Sequence, residues 1–210
     1  MLNSFRALLK RGDPEPIGYD IDRGLENYQT VLYAAIYAYL NGERTLESAK
    51  SEVEDASAAA FVIAFYAGFA EAGANPSNDD RKWLVERYAL ELAYIEKLFV
   101  TLREKKEIER DVIALLVLAL YHATGYVQTM MGIFNISILR GAPNEVLTFG
   151  GPDGLESCGT CQTLKGVTRP ASWWVQNNLI PGPPGNSNYE CYGVHCQHRL
   201  FDAAGRQFIR

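Results

Sequence analysis

The chain has 210 residues, of which 48% are apolar and 21% are charged, and its formal net charge is −5 at pH 7. This composition is typical of an ordered globular protein and excludes a chain that is disordered along its whole length. The negative charge also argues against a broad nucleic-acid-binding face, because phosphate recognition requires clustered Lys and Arg. We therefore expect no direct, sequence-specific contact with nucleic acid.

Residues 1–22 predict a short amphipathic arm. Basic residues alternate with apolar side chains in this stretch. The apolar side chains recur at roughly helical spacing: Leu2, Phe5, Leu8 and Leu9. The stretch is too short and too interrupted for the apolar region of a signal peptide, and it lacks a small-residue cleavage site. We therefore expect a cytosolic product in which this arm is a surface helix rather than a membrane anchor.

Residues 23–141 predict a domain of four long helices. The first places apolar side chains three or four residues apart, or at a multiple of that spacing, before Gly42 ends it. The second begins after Thr45 as N-cap and runs to Gly73, and the fourth runs from near Glu107 to Gly141. The third helix has a charged face and, opposite it, a broad apolar face. The apolar face consists of Trp83, Leu84, Tyr88, Leu90, Leu92, Ile95, Leu98 and Phe99.

Short connections between long helices favour a bundle. The alternative is an extended helical body whose apolar faces are covered by other subunits, including other copies of the chain.

The fourth helix is also long enough to cross a membrane. It carries no charged residue from Val112 to Leu139, and a bilayer span needs about 20 apolar residues. Its second half, however, contains polar side chains, and no cluster of Lys and Arg beside it would set an orientation. We expect a helix buried among others and no membrane contact, with insertion as the weaker alternative.

Residues 142–210 differ sharply in composition from the helical domain. They hold all four cysteines and six of the nine prolines, and they lack a long apolar period. The short run Val146 to Phe149 predicts a strand. A segment this small cannot be held by burial alone, so a covalent or metal staple is expected. The predicted fold is therefore mainly α, with a helical body followed by a small zinc-stapled α+β module.

The cysteines predict the staple. Cys158 and Cys161 form a C-x-x-C, and Cys191 and Cys196 follow as a second pair. Two closely spaced pairs are the usual source of four ligands for tetrahedral zinc, and in a reducing compartment metal binding is favoured over disulfides. We predict a structural Zn²⁺ bound by these four cysteines, with His198 as an alternative ligand. A site closed by four protein ligands has no position for reactive water, so no metal catalysis is expected.

Other interpretations of the cysteines remain open. Disulfides are one, and a thiol-redox protein using Cys158 and Cys161 is the leading alternative function, although no βαβ pattern surrounds this pair. A zinc deaminase is rejected because Ser157 replaces the proline of P-C-x-x-C and no H-x-E is present. Without a phosphate-binding loop, nucleophile elbow or H-E-x-x-H motif, we expect no enzyme.

The C-terminal motif resembles that of the head-morphogenesis, or minor head protein, family of tailed bacteriophages and prophages, which includes the Mu F-like proteins. The family shows a C-x-x-C followed by L-x-G, a proline and an aromatic residue, then a Pro/Gly loop and a terminal Cys/His cluster. The matching positions are Cys158, Cys161, Leu164, Gly166, Pro170, Trp173, Cys191 and Cys196. His198 stands where the family's C-x-C ending has a cysteine, which leaves the fourth ligand open.

This resemblance covers roughly the last sixty residues. It implies a virion or assembly protein of the phage head, present in few copies and bound to portal or major capsid subunits. It also implies no catalytic chemistry, and a location in the host cytoplasm during assembly and in the virion afterwards.

Overall fold

The computed structural model describes residues 5, 9, 20–108, 112–151, 157–181, 186–191 and 197–209. Within these residues four long helices make up most of the chain: α1 Ile21–Leu40, α2 Leu46–Glu71, α3 Asn78–Ile108 and α4 Val112–Gly141. Shorter elements follow them: β1 Val146–Gly150, α5 Gly159–Leu164, β2 Thr168–Pro170, α6 Ala171–Gln176 and β3 Arg199–Phe201. The prediction of a mainly helical chain with a small α+β C-terminal part is confirmed.

The helices begin and end where the sequence places caps. The carboxylate of Asp20 accepts a hydrogen bond from the backbone N–H of Arg23 at 3.1 Å, which caps α1. Gly42, with φ of +76°, ends the same helix. The Thr45 hydroxyl accepts from the backbone N–H of Ser48 at 3.1 Å, so this residue caps α2 as predicted.

The chain forms two compact units. One takes in the described residues of Met1–Phe65 and Ser77–Val127, and the other those of Tyr66–Pro76 and Gln128–Arg210. The boundary therefore passes through α2 and α4 and differs from the one predicted at residues 141 and 142. Composition changes at that point, but the second unit also includes the ends of two helices, which bring buried side chains such as Phe69 and Phe134.

The first unit has an aromatic centre on α3. The ring of Phe5, a residue of the N-terminal arm, stacks on Tyr88 with centroids 4.1 Å apart. The Tyr88 hydroxyl donates to the backbone carbonyl of Glu54 at 2.8 Å. Of the arm, only Phe5 and Leu9 are described, and both are buried. Leu90, predicted on the apolar face of α3, is instead exposed because it lies off the buried stripe.

One described helix, α2, is long and apolar enough to cross a membrane by length and composition. Of its most apolar stretch, 67% is buried inside the structure. The core helix of a globular domain has the same properties, so the feature by itself indicates no membrane. For α4, the side chain of His122 and several of its neighbours lie outside the described residues.

The second unit is organised by a three-stranded antiparallel sheet in the order β2-β1-β3. Its central strand covers the predicted run from Val146 to Phe149 and points Leu147 and Phe149 into the core. The Phe149 ring stacks against three others, with centroid distances of 5.9 Å to Trp174, 6.5 Å to Tyr189 and 5.2 Å to His198. Two members of this aromatic cluster are close in sequence to cysteines: Tyr189 precedes Cys191 by two residues, and His198 follows Cys196 by two.

Candidate metal centre

The short helix α5 carries the first cysteine pair. Cys158 is its N-cap residue, and Cys161 lies on its first turn and is buried. Beyond the helix, Gly166 takes a positive φ of +77°, and its backbone N–H donates to the carbonyl of Phe149 at 2.9 Å. The Phe149 N–H donates to the carbonyl of Val167 at 2.9 Å. These bonds attach the end of α5 to the central strand and so fix the position of the pair.

The segment 186–191 carries the third cysteine and is held by asparagine side chains. The Asn186 amide donates to the carbonyl of Asn178 at 2.8 Å, and the Asn188 amide donates to that of Asn177 at 2.9 Å. These acceptors follow α6, so the segment is anchored to the end of that helix. Next along the chain, Tyr189 is buried and stacks on Phe149 of β1, two residues before Cys191.

The sulfurs of Cys158, Cys161 and Cys191 converge: all three lie within 4.8 Å of one another. All three residues are free thiols. A tetrahedral zinc ion with Zn–S bonds of about 2.3 Å would hold sulfurs about 3.8 Å apart, so only a small inward shift is needed. Soft thiolates in this number suit zinc, and the cluster therefore fits a metal ion, whose identity the geometry does not specify.

Hydrogen bonds favour the thiolate form of Cys158. Partial burial by itself would raise the pKa of this thiol, but the net effect of its surroundings is to lower that pKa. The cause is hydrogen bonding to its sulfur from the backbone N–H groups and thiols of Cys161 and Cys191. Such N–H groups are the outer support that metal-bound thiolates need, since the thiolate is the species that binds.

The fourth predicted ligand remains a prediction. Cys196 and the neighbouring His195 lie outside the described residues. His198 is described and buried, but the described cluster consists of the three sulfurs without it. Its ring stacks on Phe149, and burial together with the charges of Lys165 and Arg199 lowers its pKa. A lowered pKa keeps the imidazole neutral, which is the form that binds metals.

One residue at the site was not anticipated from the sequence. Glu190 precedes Cys191 directly, and its carboxylate accepts a hydrogen bond from the backbone N–H of Gly159 at 2.8 Å. The contact joins positions 31 residues apart. A single carboxylate beside a cysteine carries no sequence signal that separates it from an ordinary solvated side chain.

Comparison with known proteins leaves the site to be interpreted from its own geometry. No family model, no curated protein and no solved structure matches this chain. Chemically, three converging thiols can bind a thiophilic metal ion, and two of them could instead exchange between dithiol and disulfide.

Proposed function

We propose that this chain is a structural or assembly protein of a tailed-phage or prophage head, with a structural zinc ion in its C-terminal module. The observation that carries the proposal is the convergence of Cys158, Cys161 and Cys191 from two distant segments. The motif shared with the minor head protein family predicts the same cysteines as ligands of one site. The geometry supports the site, and the motif supplies the link to the phage head.

A structural role for the metal follows from the ligands. Three thiolates and a fourth donor, either Cys196 or His198, would enclose a zinc ion completely. No position would then remain for water or substrate, so the ion would act by joining two loops of the chain. We therefore assign the site no catalytic step.

The helical body offers surfaces for contact with other head proteins. Several large apolar side chains on α1 and α3 are exposed: Tyr33, Tyr37, Leu90 and Tyr94. Tyr33 and Tyr37 stack with their ring centroids 6.2 Å apart. Aromatic side chains are enriched in protein interfaces. These surfaces are consistent with binding to portal or major capsid subunits, or to other copies of the chain.

The metal is tested by elemental analysis of the purified, freshly reduced full chain. We expect one zinc per chain in the wild type and none in Cys158→Ser or Cys191→Ser, because three ligands hold zinc far more weakly than four. Cys196→Ser and His198→Gln serve as matched variants for the fourth ligand, and only one of them should lose the metal. Reduced wild-type protein without any metal would contradict the zinc site.

The place in the phage head needs a separate experiment. After induction of the prophage or infection, proheads and mature heads are separated from soluble protein and probed for this chain. We expect the chain in both kinds of particle, at a copy number tied to the portal ring. Its absence from both would overturn the assignment even if zinc is bound.

A second candidate function is a thiol-redox protein, which one observation favours. Cys158 occupies the N-cap position of α5 with Cys161 on the first turn, and this placement gives a partly exposed thiol of lowered pKa, as in C-x-x-C oxidoreductases. The strands on both sides of β1 are antiparallel, so the βαβ surroundings of such enzymes do not occur among the described residues. Metal-free protein that keeps its fold and reduces a disulfide substrate, with activity lost in Cys161→Ser, would favour this candidate over zinc.

A further inference from the structure

Two hydrogen bonds connect the segments that carry the cysteines. The carboxylate of Glu190 accepts from the backbone N–H of Gly159, with 2.8 Å between the nitrogen and Oε2. The backbone N–H of Glu190 donates to the hydroxyl of Thr160 at 3.3 Å. We call this pair of bonds the 159–190 clamp. In the chain, Gly159 directly follows Cys158, and Glu190 directly precedes Cys191.

The clamp accounts for the glycine at position 159. A Cβ built there would lie 2.8 Å from Oε1 of Glu190 and 3.0 Å from Oε2, closer than side chains normally approach. The carboxylate thus occupies the space that any larger residue would need. Since that carboxylate is the end of a flexible side chain, an added methyl group would displace it and break its bond to the N–H, with little effect on the helix.

We infer that Glu190 is a positioning residue for the metal centre, which holds Cys191 against the first turn of α5 before any metal binds. This inference rests on the proposed metal site. The N–H of Gly159 belongs to the first turn of a helix and has no acceptor within that helix, so an external carboxylate satisfies it. By fixing residue 190, the bond removes conformational freedom that Cys191 would otherwise lose on binding the ion.

Glu190 is distinct from a ligand in this geometry. Its carboxylate is directed at Gly159, and it does not belong to the group of atoms that lie within 4.8 Å of one another. A positioning role and a ligand role therefore give different spectra. Loss of a ligand changes the coordination of the metal, whereas loss of the clamp changes only the affinity.

The test is a titration of the metal-free, reduced full chain with Co²⁺, followed by competition with Zn²⁺ and a chelator. Glu190→Ala should bind both ions about five-fold more weakly, the usual effect of losing a capping acceptor. Glu190→Gln should stay within about two-fold of the wild type, because its amide oxygen still accepts from Gly159. The Co²⁺ absorption bands should keep their positions and intensities in both variants.

Gly159→Ala provides an independent variant on the other side of the contact. Alone, it should weaken binding about as much as Glu190→Ala, because both remove the same hydrogen bond. In the double variant the second change should have no further effect on metal affinity, since the shared hydrogen bond is already lost and the alanine meets no carboxylate. Far-UV circular dichroism confirms the fold of each variant, and Glu145→Ala, an exposed glutamate in the same unit, is the control.

The outcomes separate this inference from the proposed function. Equal affinity in wild type and Glu190→Ala would overturn the positioning role and leave the metal site intact. Altered Co²⁺ bands in Glu190→Ala would also overturn it, because they would make Glu190 a ligand. Wild-type protein that binds no metal would overturn the site and the inference together.

Discussion

Glu91 lies on the buried side of α3, and only 3% of its surface is exposed. Its Oε1 atom has no hydrogen-bond partner among the described residues. Burial disfavours the ionised carboxylate and raises its pKa to about 8, from an ordinary value of 4.5. At neutral pH the folded chain therefore holds a proton that the unfolded chain releases.

This difference makes the free energy of unfolding depend on pH. Because the folded pKa is the higher one, the contribution of Glu91 is fully present below pH 4.5 and is lost as pH rises towards about 8. The loss is about 1.4 kcal/mol for each pH unit in that window. Glu91→Gln is neutral at every pH, so we expect it to match the wild type near pH 4 and to be several kcal/mol more stable at pH 8.5.

Urea denaturation at both pH values measures the effect. Glu86→Gln on the exposed side of α3 is the matched control and should change stability by less than about 0.5 kcal/mol at either pH. If Glu91→Gln destabilised the chain equally at both pH values, the carboxylate would have to be ionised and satisfied in the folded state.

Between elements, Gly68 on α2 allows a close approach to α4 within the second unit. A Cβ added there would lie 2.4 Å from the backbone oxygen of Phe134 and 2.6 Å from the Cβ of Ser137, both on α4. A backbone oxygen cannot move aside as a flexible side chain can. We expect Gly68→Ala to destabilise the chain by about 1–3 kcal/mol, the usual effect of overpacking, as measured by thermal or urea unfolding.

Gly125→Ala, on α4, is the control for that substitution. An added Cβ there meets no heavy atom of the described residues within 4 Å, so we expect the change to act through helix propensity. We expect a gain of up to about 1 kcal/mol, because alanine favours the helix over glycine. A gain from Gly68→Ala as well would show that the two helices can separate at no cost.

The elements were predictable where a local signal fixes them. Thr45, the predicted N-cap of α2, caps that helix through its own side chain, and the apolar run at Val146 forms the strand it predicts. Three of the four predicted metal ligands are described, and they converge, as two cysteine pairs that share one metal ion must. The contact of Glu190 with Gly159 could not be predicted, since it depends on how two distant segments fold together.

The apolar face of α3 was predicted incorrectly in one respect. The buried positions recur at alternating steps of four and three: Leu84, Tyr88, Glu91, Ile95, Leu98 and Leu102. Glu91 occupies this stripe although it is charged, while Leu90 lies beside the stripe and is 55% exposed. Hydrophobicity placed Leu90 inside, but helix geometry decides which positions face the core.

At the scale of the whole molecule, the two compact units are stabilised differently. The first unit is built from long helices around buried aromatic side chains such as Phe61 and Tyr88. The second contains a buried aromatic core around Phe149 and Trp174, together with the three converging cysteines. This core implies that the sheet would not depend on a bound metal alone. Among the described residues, the cysteine cluster and the 159–190 clamp connect α5 to the segment 186–191.

Removal of the metal should therefore loosen one part of the second unit and leave the helices folded. We expect a chelator under reducing conditions to speed amide hydrogen exchange about ten-fold or more in residues 157–164 and 186–191, because their opening then costs at least 1.4 kcal/mol less. Exchange in α1, α2 and α3 should stay unchanged.

Cys158→Ser should reproduce this pattern without chelator and show no further change when chelator is added. Faster exchange throughout the chain would mean that the metal stabilises both units as one, and unchanged exchange at 157–164 would mean that it does not hold these segments together.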